Sequence, residues 1–314
     1  MQGACQGDVD PPGRGVVQGF AQCYDARVKR ALAWTGVVLG GLATSFLALL
    51  LGIRLFTTEV PWPPSAWTAP AGPYKVAVLG DTQKGLTNLK NLVRELGKIQ
   101  PSLTLHTGDL VGENDAGHYR LAARAVRNVP GSFRTVPGNH DLKKTHEHFL
   151  KAFGALEFEL QAGPVTYLGL NCAFGEPIDL DVLEKRTSGK EAVVLLFHVP
   201  SVDKAFFQWL EKSPRVKYVF NGHKHVYSEE KVGSTTVITN GVGGDYDSWQ
   251  FDQKVYATIL EVDGPSIRHS TITLPPKHGV WDNLEHAALG HFGPPAWISL
   301  LGMAALTVFA WRRR

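Results

Sequence analysis

The chain has 314 residues, 44% of them hydrophobic and 19% charged, which is enough apolar material to bury a full core and too much for a disordered chain. Its formal net charge of +3 comes from the ends, where Arg14, Arg27, Lys29 and Arg30 stand at one and Arg312, Arg313 and Arg314 at the other, and the stretch between them is slightly acidic. That excludes a nucleic-acid surface, which needs a basic stripe to neutralise phosphates, so no nucleic-acid partner is expected.

In chain order, residues 1–30 form a basic tail. Residues 31–53 contain no charged side chain, and as a helix rising ~1.5 Å per residue they reach about 34 Å, enough to cross a bilayer core. A cleaved signal peptide is the rival reading, but its apolar core runs roughly 7 to 15 residues before a small-residue cleavage site; here Arg54, Leu55 and Phe56 follow. Residues 54–73, rich in proline, read as a semi-rigid spacer. A second uncharged run, 296–311, follows Pro294 and Pro295 and carries Trp297 and Trp311 as interfacial anchors. It is slightly short for a span, and an interfacial or buried helix is the alternative. Arg27, Lys29 and Arg30 before the first run and the terminal arginines at 312–314 put both termini in the cytoplasm by the positive-inside rule. An integral membrane protein with two spans follows, its middle held on the periplasmic, extracellular or lumenal side.

Between the runs, residues 74–275 read as the globular domain and 276–295 as a return linker with a short helix near 281–288. The apolar run at 75–79 ends in Gly80-Asp81, as a buried strand handing over to a loop does. Leu86, Leu89, Leu92, Val93 and Leu96 then fall on one helical face. The beat repeats: strand 103–106, helix 119–129, strand 132–136, helix 145–153. Strands are expected at 165–171, 191–198, 216–221, 235–239, 255–262 and 266–273, with helices at 179–186 and 203–212. Alternation giving way to consecutive strands means an α/β domain with a mixed sheet or two packed sheets. Of the three cysteines, Cys5 and Cys23 are separated by the first hydrophobic run from Cys172. The domain therefore has no disulfide framework, and Cys172, in an apolar stretch, reads as a small buried hydrophobe.

The chemistry-bearing residues stand just after strands, where open α/β sheets place their ligands. They are Gly80-Asp81-Thr82-Gln83, Gly108-Asp109, Gly138-Asn139-His140-Asp141, His198, and Gly222-His223-Lys224-His225. Carboxylate and amide oxygens together with imidazoles are the donor set of a pair of divalent ions, which a shared carboxylate holds about 3.5 to 4 Å apart. Each fragment alone reads equally as a glycine turn or a strand-end histidine; the ordered set does not.

In that order the motifs resemble the calcineurin-like metallophosphoesterase family, over roughly residues 74–274. The resemblance implies a four-layer α/β/β/α sandwich of two mixed sheets, and hydrolysis of a phosphomonoester, phosphodiester or pyrophosphate by metal-activated water. It makes Asp109 the bridging ligand, gives Asp81, Gln83 and His225 to one ion, and gives Asn139, His198 and His223 to the other. It makes His140 the general acid and Asp141 the residue orienting it. Gln83 departs from the family's usual histidine. An amide oxygen is harder and weaker than imidazole, so among Mn, Fe, Zn and Mg the site leans toward Mn. With an anchor beside it, a lipid head group or an envelope metabolite fits as the phosphate-ester substrate. The alternative function is a non-catalytic scaffold of the same fold, which would be expected to lose ligands or the catalytic histidine.

Of the other polar residues, His106 precedes the second motif and reads as structural; His118, His146 and His148 lie on helical stretches and read instead as surface residues; Lys224, between two expected ligands, reads equally as approaching a phosphate or as solvent-exposed. The loop 241–247 (GVGGDYD) reads either as an ordinary glycine loop or as one that covers the site or holds substrate.

Overall fold

The structure, a computed structural model, describes residue 28 and residues 32–47, 67–201, 203–244 and 254–277. The chain divides into two compact units, residues 1–58 with 299–314, and residues 59–298. In the first unit, residues 32–47 form a helix, α1, on which Leu32, Trp34, Val38, Leu39 and Leu42 are each more than half exposed. Among the described residues no helix is long and apolar enough to cross a membrane. Residues 31 and 48–53 of the first expected span lie outside the described residues, as do all of 296–311, the basic ends and the return linker from 278 onward.

The second unit runs β1 (Tyr74–Leu79), α2 (Leu86–Ile99), β2 (Leu103–His106), α3 (Ala116–Val126), β3 (Ser132–Thr135), α4 (Asn139–Leu142), α5 (Glu147–Phe153), β4 (Phe158–Ala162) and β5 (Val165–Gly169). It continues with α6 (Leu180–Thr187), β6 (Ala192–Leu196), α7 (Lys204–Glu211), β7 (Val216–Asn221), β8 (Ser228–Val232), β9 (Thr235–Thr239), β10 (Val255–Asp263) and β11 (Ser266–Leu274). The strands make two mixed sheets, ordered β11-β10-β1-β2-β3 and β4-β5-β6-β7-β9-β8. In the first, β1, β2 and β3 are parallel and β10 and β11 antiparallel to their neighbours. In the second, β5, β6, β7 and β9 are parallel, with β4 and β8 added antiparallel at the two edges.

Period-2 alternation of wholly apolar strands decides the layering, because each strand must bury both of its faces. Val76 and Val78 of β1 face the gap between the sheets, while Ala77 and Leu79 face α2, α3 and α5. Val194 and Leu196 of β6 enter the same gap, whereas Val193 and Leu195 pack with Phe206 and Leu210 of α7. The order is therefore helices, sheet, sheet, helices. In β7 the alternation changes hands. Val216 lies in the outer core and Tyr218 and Phe220 in the inner one, because the pairing slips by a residue between Val193 and Val194, as a β-bulge does.

Two edge strands, β4 and β8, escape sequence reading. The residues of β8, SEEKV, are almost all exposed, and an edge strand with one neighbour needs no apolar alternation to stay paired. The short α4 was also not expected. At the other end of the sheets, the last part of the segment expected as a spacer belongs to the core. The Trp67 ring lies 6.1 Å from Tyr74 and 6.0 Å from Tyr167, packed with Ala69 against the inter-sheet cluster.

Cys172 is buried, as its apolar setting implies, and burial pushes its thiol up to about 12, the charges of Glu176 and Glu157 acting in the same direction. At pH 8 the thiol in the folded chain should react with iodoacetamide about a thousandfold more slowly than in urea, since only the thiolate is nucleophilic; peptide mass mapping separates it from Cys5 and Cys23. Leu196, fully buried between the sheets, supplies the complementary stability test: Leu196→Ala should cost about 2–5 kcal/mol in urea unfolding.

Candidate metal centre

The parallel strands of both sheets point their C-terminal ends to one side, and backbone hydrogen bonds knit the loops that follow. Asp81 N donates to Gly108 O (3.1 Å), Gly222 N to His198 O (2.9 Å) and Gly243 N to Gly80 O (2.7 Å). Asn240, fully buried, locks the sheets together there: its Nδ2 donates to Val78 O of β1 (3.0 Å), and its Oδ1 accepts from Thr258 of β10 (2.9 Å).

In this seam the described backbone takes an unusual course. Of the six non-glycine residues with positive φ among the described residues, five stand here and are expected ligands: Asp81 (48°), Gln83 (30°), Asp109 (57°), His223 (70°) and His225 (53°). Left-handed backbone costs roughly 1 to 3 kcal/mol at such a residue and persists where surrounding structure enforces it, most often at functional sites. The enforcement comes from close backbone approach. A Cβ on Gly138 would strike the Asp109 carboxylate and amide, and one on Gly222 would strike the Asp81 carboxylate.

The side chains converge. One ligand atom from each of Asp81, Asp109 and His225 lies within 4.8 Å of the others, with His225 Nε2 3.4 Å from Asp81 Oδ1. Gln83 Nε2 stands 3.0 Å from Asp109 Oδ2 and 3.2 Å from His225 Nε2. A half-turn of that amide would aim its oxygen at the same place. On the other side, Asn139 Oδ1 lies 3.1 Å from His198 Nε2 and 3.0 Å from His223 Nδ1. His198 Nε2 is also 3.4 Å from Asp109 Oδ2, so that one carboxylate oxygen stands between the Gln83 side and the His198 side. All seven expected ligands are thus brought to one place. His198 Nδ1 donates to Thr107 O (2.9 Å), which turns Nε2 toward Asp109 and Asn139, the kind of outer hydrogen bond that orients imidazoles in metal sites.

Electrostatically the seam is loaded. Asp81, Asp109 and Asp141 are all buried. Burial pushes Asp109 upward, but the charge of His198, its hydrogen bond and the His140 amide outweigh it and hold the carboxyl below its ordinary range. Burial would lower His198, yet Asp109 pushes it up to about 9. Asp81 instead accepts the His223 amide, at 2.9 and 3.2 Å to its two oxygens. A pair of buried carboxylates ringed by imidazole and amide groups is the donor set of hard-to-borderline divalent ions, and the residues fit such an ion.

One expectation changes. His140 is at the site, its amide donating to Asp109 Oδ1 (3.0 Å), but its ring is oriented by Gly112, whose carbonyl accepts from Nδ1 at 2.9 Å. Asp141 does not do this. Its fully buried carboxylate accepts four backbone N–H groups, of Asp109, Leu110, Val111 and Gly138, and so fixes the loop that carries Asp109. No motif pattern distinguishes a carboxylate that binds a neighbouring ring from one that binds four amides. His106 is structural, as expected: its Nδ1 accepts from Gly108 N (3.1 Å) and its Nε2 lies 3.3 Å from Thr82 Oγ1. Burial pushes it down to about 3, keeping it neutral. Residues 241–244 pack on the Gly80–Gly85 loop, and 245–247 lie outside the described residues.

Two mixed sheets with a loop-borne carboxylate, amide and imidazole cluster at their parallel ends define a metal-binding phosphoesterase architecture. Residues 74–227 match the family described as calcineurin-like phosphoesterase, and the domain is a member of that family. Solved structures similar to the chain include a hypothetical protein from Thermus thermophilus (18% identity, 65% of this chain and 100% of that one, TM-score 0.48). An archaeal phosphodiesterase also matches (15%, 63% and 99%, TM-score 0.41), as does Vps29 from Entamoeba histolytica complexed with zinc (14%, 63% and 98%, TM-score 0.39). No curated protein sequence matches the chain.

Gly138→Ala, which sets a methyl against the Asp109 carboxylate and amide, should weaken divalent-ion binding at least about tenfold, the scale of lost support around a metal site, while the circular dichroism of the fold is kept. Titration with Mn²⁺ followed by calorimetry checks it.

Proposed function

We propose that the chain is a membrane-anchored phosphoesterase that uses two divalent ions, Mn favoured, to hydrolyse a phosphomonoester, phosphodiester or pyrophosphate. One observation carries the reading: Asp109 Oδ2 stands between Gln83 and His198, where a bridging ligand is needed. Asp81, Gln83 and His225 then hold one ion and Asn139, His198 and His223 the other. Ions bound there would supply a Lewis acid for the phosphoryl oxygens and a water of lowered pKa.

The chain's own groups do the rest. As an imidazolium, His140 keeps its Nδ1–H bond to Gly112 and offers its Nε2 proton to the leaving oxygen. Asp141, through its four amides, fixes the turn on which Asp109 sits. For the anchor, the support is α1, whose exposed leucines, Trp34 and Val38 would be costly in water and are at home in lipid. Both termini on the cytoplasmic side and the domain on the far side follow from the arginines at the two ends. A lipid head group or envelope metabolite suits an enzyme so tethered.

The test is hydrolysis of bis-p-nitrophenyl phosphate and p-nitrophenyl phosphate by the detergent-solubilised chain with Mn²⁺. His140→Ala should lower turnover by about 10²- to 10⁴-fold with metal content kept, and Asp109→Ala should lose metal and activity together. Turnover that survives both substitutions, or a protein that takes up no metal, sinks the proposal.

A further inference from the structure

Residues 241–244 are all buried and are built into the loop that carries Asp81 and Gln83. Gly241 N donates to Thr239 O (3.0 Å), Gly243 N to Gly80 O (2.7 Å), and Val242 O accepts from Tyr256 N of β10 (2.8 Å). A Cβ on Gly244 would lie 2.8 Å from Gly85 O and 2.9 Å from Thr82 O, and a Cβ on Gly85 would fall on Gly244 O. The contact therefore needs glycine on both sides. It matters because Asp81 and Gln83 hold left-handed backbone (φ 48° and 30°), a conformation that persists only where the surroundings enforce it. From one side Gly108 O and Asp109 O accept their amides, at 3.1 and 3.0 Å. From the other, the support is the 241–244 stretch.

Glycines have no side chains with which to fix themselves, and Asn88 does it for Gly244. It lies on the buried face of α2 with Leu86, Leu89, Leu92 and Leu96 and is 1% exposed, where an amide needs partners at both ends. Its Nδ2 donates to Gly244 O (3.0 Å). Its Oδ1 accepts from Lys277 N (2.7 Å), the first N–H after β11, since Pro275 and Pro276 have none. One side chain thus joins α2, the support of the Asp81 and Gln83 loop, and the segment by which the chain leaves the described part of the domain. We propose that Asn88 is a positioning residue for the ion on the Gln83 side: by clamping Gly244 to Lys277 it holds Asp81 and Gln83 in their ligating conformation, and it ties the affinity of that half-site to the exit segment 275–277. The inference rests on the two-ion reading given above. Asn139 and His198, on the other half, ride on the loops after β3 and β6 and do not depend on the clamp.

The test is calorimetric titration of the detergent-solubilised full-length chain with Mn²⁺. The wild type should take up two ions in separable steps, and Gln83→Ala identifies the step of the Gln83 side as the one it weakens. Asn88→Ala should weaken that same step at least about tenfold, the scale of lost support around a metal site, and leave the other within about twofold. Alanine is the better helix former, so α2 is kept, which urea unfolding of the same samples verifies. Lys277→Pro, at an exposed position, removes the N–H that Oδ1 accepts and should weaken the same step about threefold or more, the worth of one net hydrogen bond. Equal weakening of both steps, the mark of a general loosening, overturns the assignment. So does wild-type binding in Asn88→Ala or in Lys277→Pro. A wild type that takes up one ion or none instead removes the two-ion reading, and the inference with it.

Discussion

Three carboxylates, Asp81, Asp109 and Asp141, are buried in one seam between two sheets, and an isolated buried carboxylate is among the most costly things a fold can contain. Much of the local structure is the means of compensating them. Asp141 is met by four peptide N–H groups and Asp81 by the amide of His223. Asp109 is met by the amide of His140 and the ring of His198. What peptide dipoles leave uncompensated faces inward, and that remainder is what attracts cations.

The compensation explains the backbone. An N–H group can point at a carboxylate from a neighbouring loop only where the chain turns back on itself, and at several positions it does so with left-handed residues that glycine would occupy more cheaply. Those positions need a side chain, so the strain is accepted at the ligands and relieved beside them. Gly138 and Gly222 are glycine because the Asp109 and Asp81 carboxylates occupy the space of a Cβ. Asn240 completes the frame by joining the two sheets at the site end through Val78 and Thr258.

How much of this was legible follows from which signals are local. The buried parallel strands announced themselves as short apolar runs, and β2, β7 and β9 fall on their expected bounds. The expected ligands were legible because each follows such a run within a few residues. Partners that act through the backbone were not. Gly112 and Thr107 contribute carbonyl oxygens, which any residue type could supply, so nothing in their identity marks them. The partnership of Asp141 with the Asp109 loop spans some thirty residues and looks, in sequence, like a contact with its neighbour His140. Edge strand β8 was missed for the opposite reason, since its polar residues are what an exposed edge tolerates.

Gln83 bears most directly on how the site handles metal. Its amide sits where it meets Asp109 and His225 together, so it bridges a carboxylate and an imidazole by hydrogen bonds. A histidine there would bring a further titratable ring against His225, and its charged form would compete with the ion for the same carboxylates. Glutamine cannot take a proton at neutral pH, so filling that half of the proposed site would displace one proton fewer and depend less on pH. The cost is a weaker, harder ligand, which in the proposed site would shift preference from zinc toward manganese or magnesium. The two halves of the proposed site would thereby be unequal, the Asn139, His198 and His223 side richer in imidazole and the Gln83 side the one from which an ion would leave more readily.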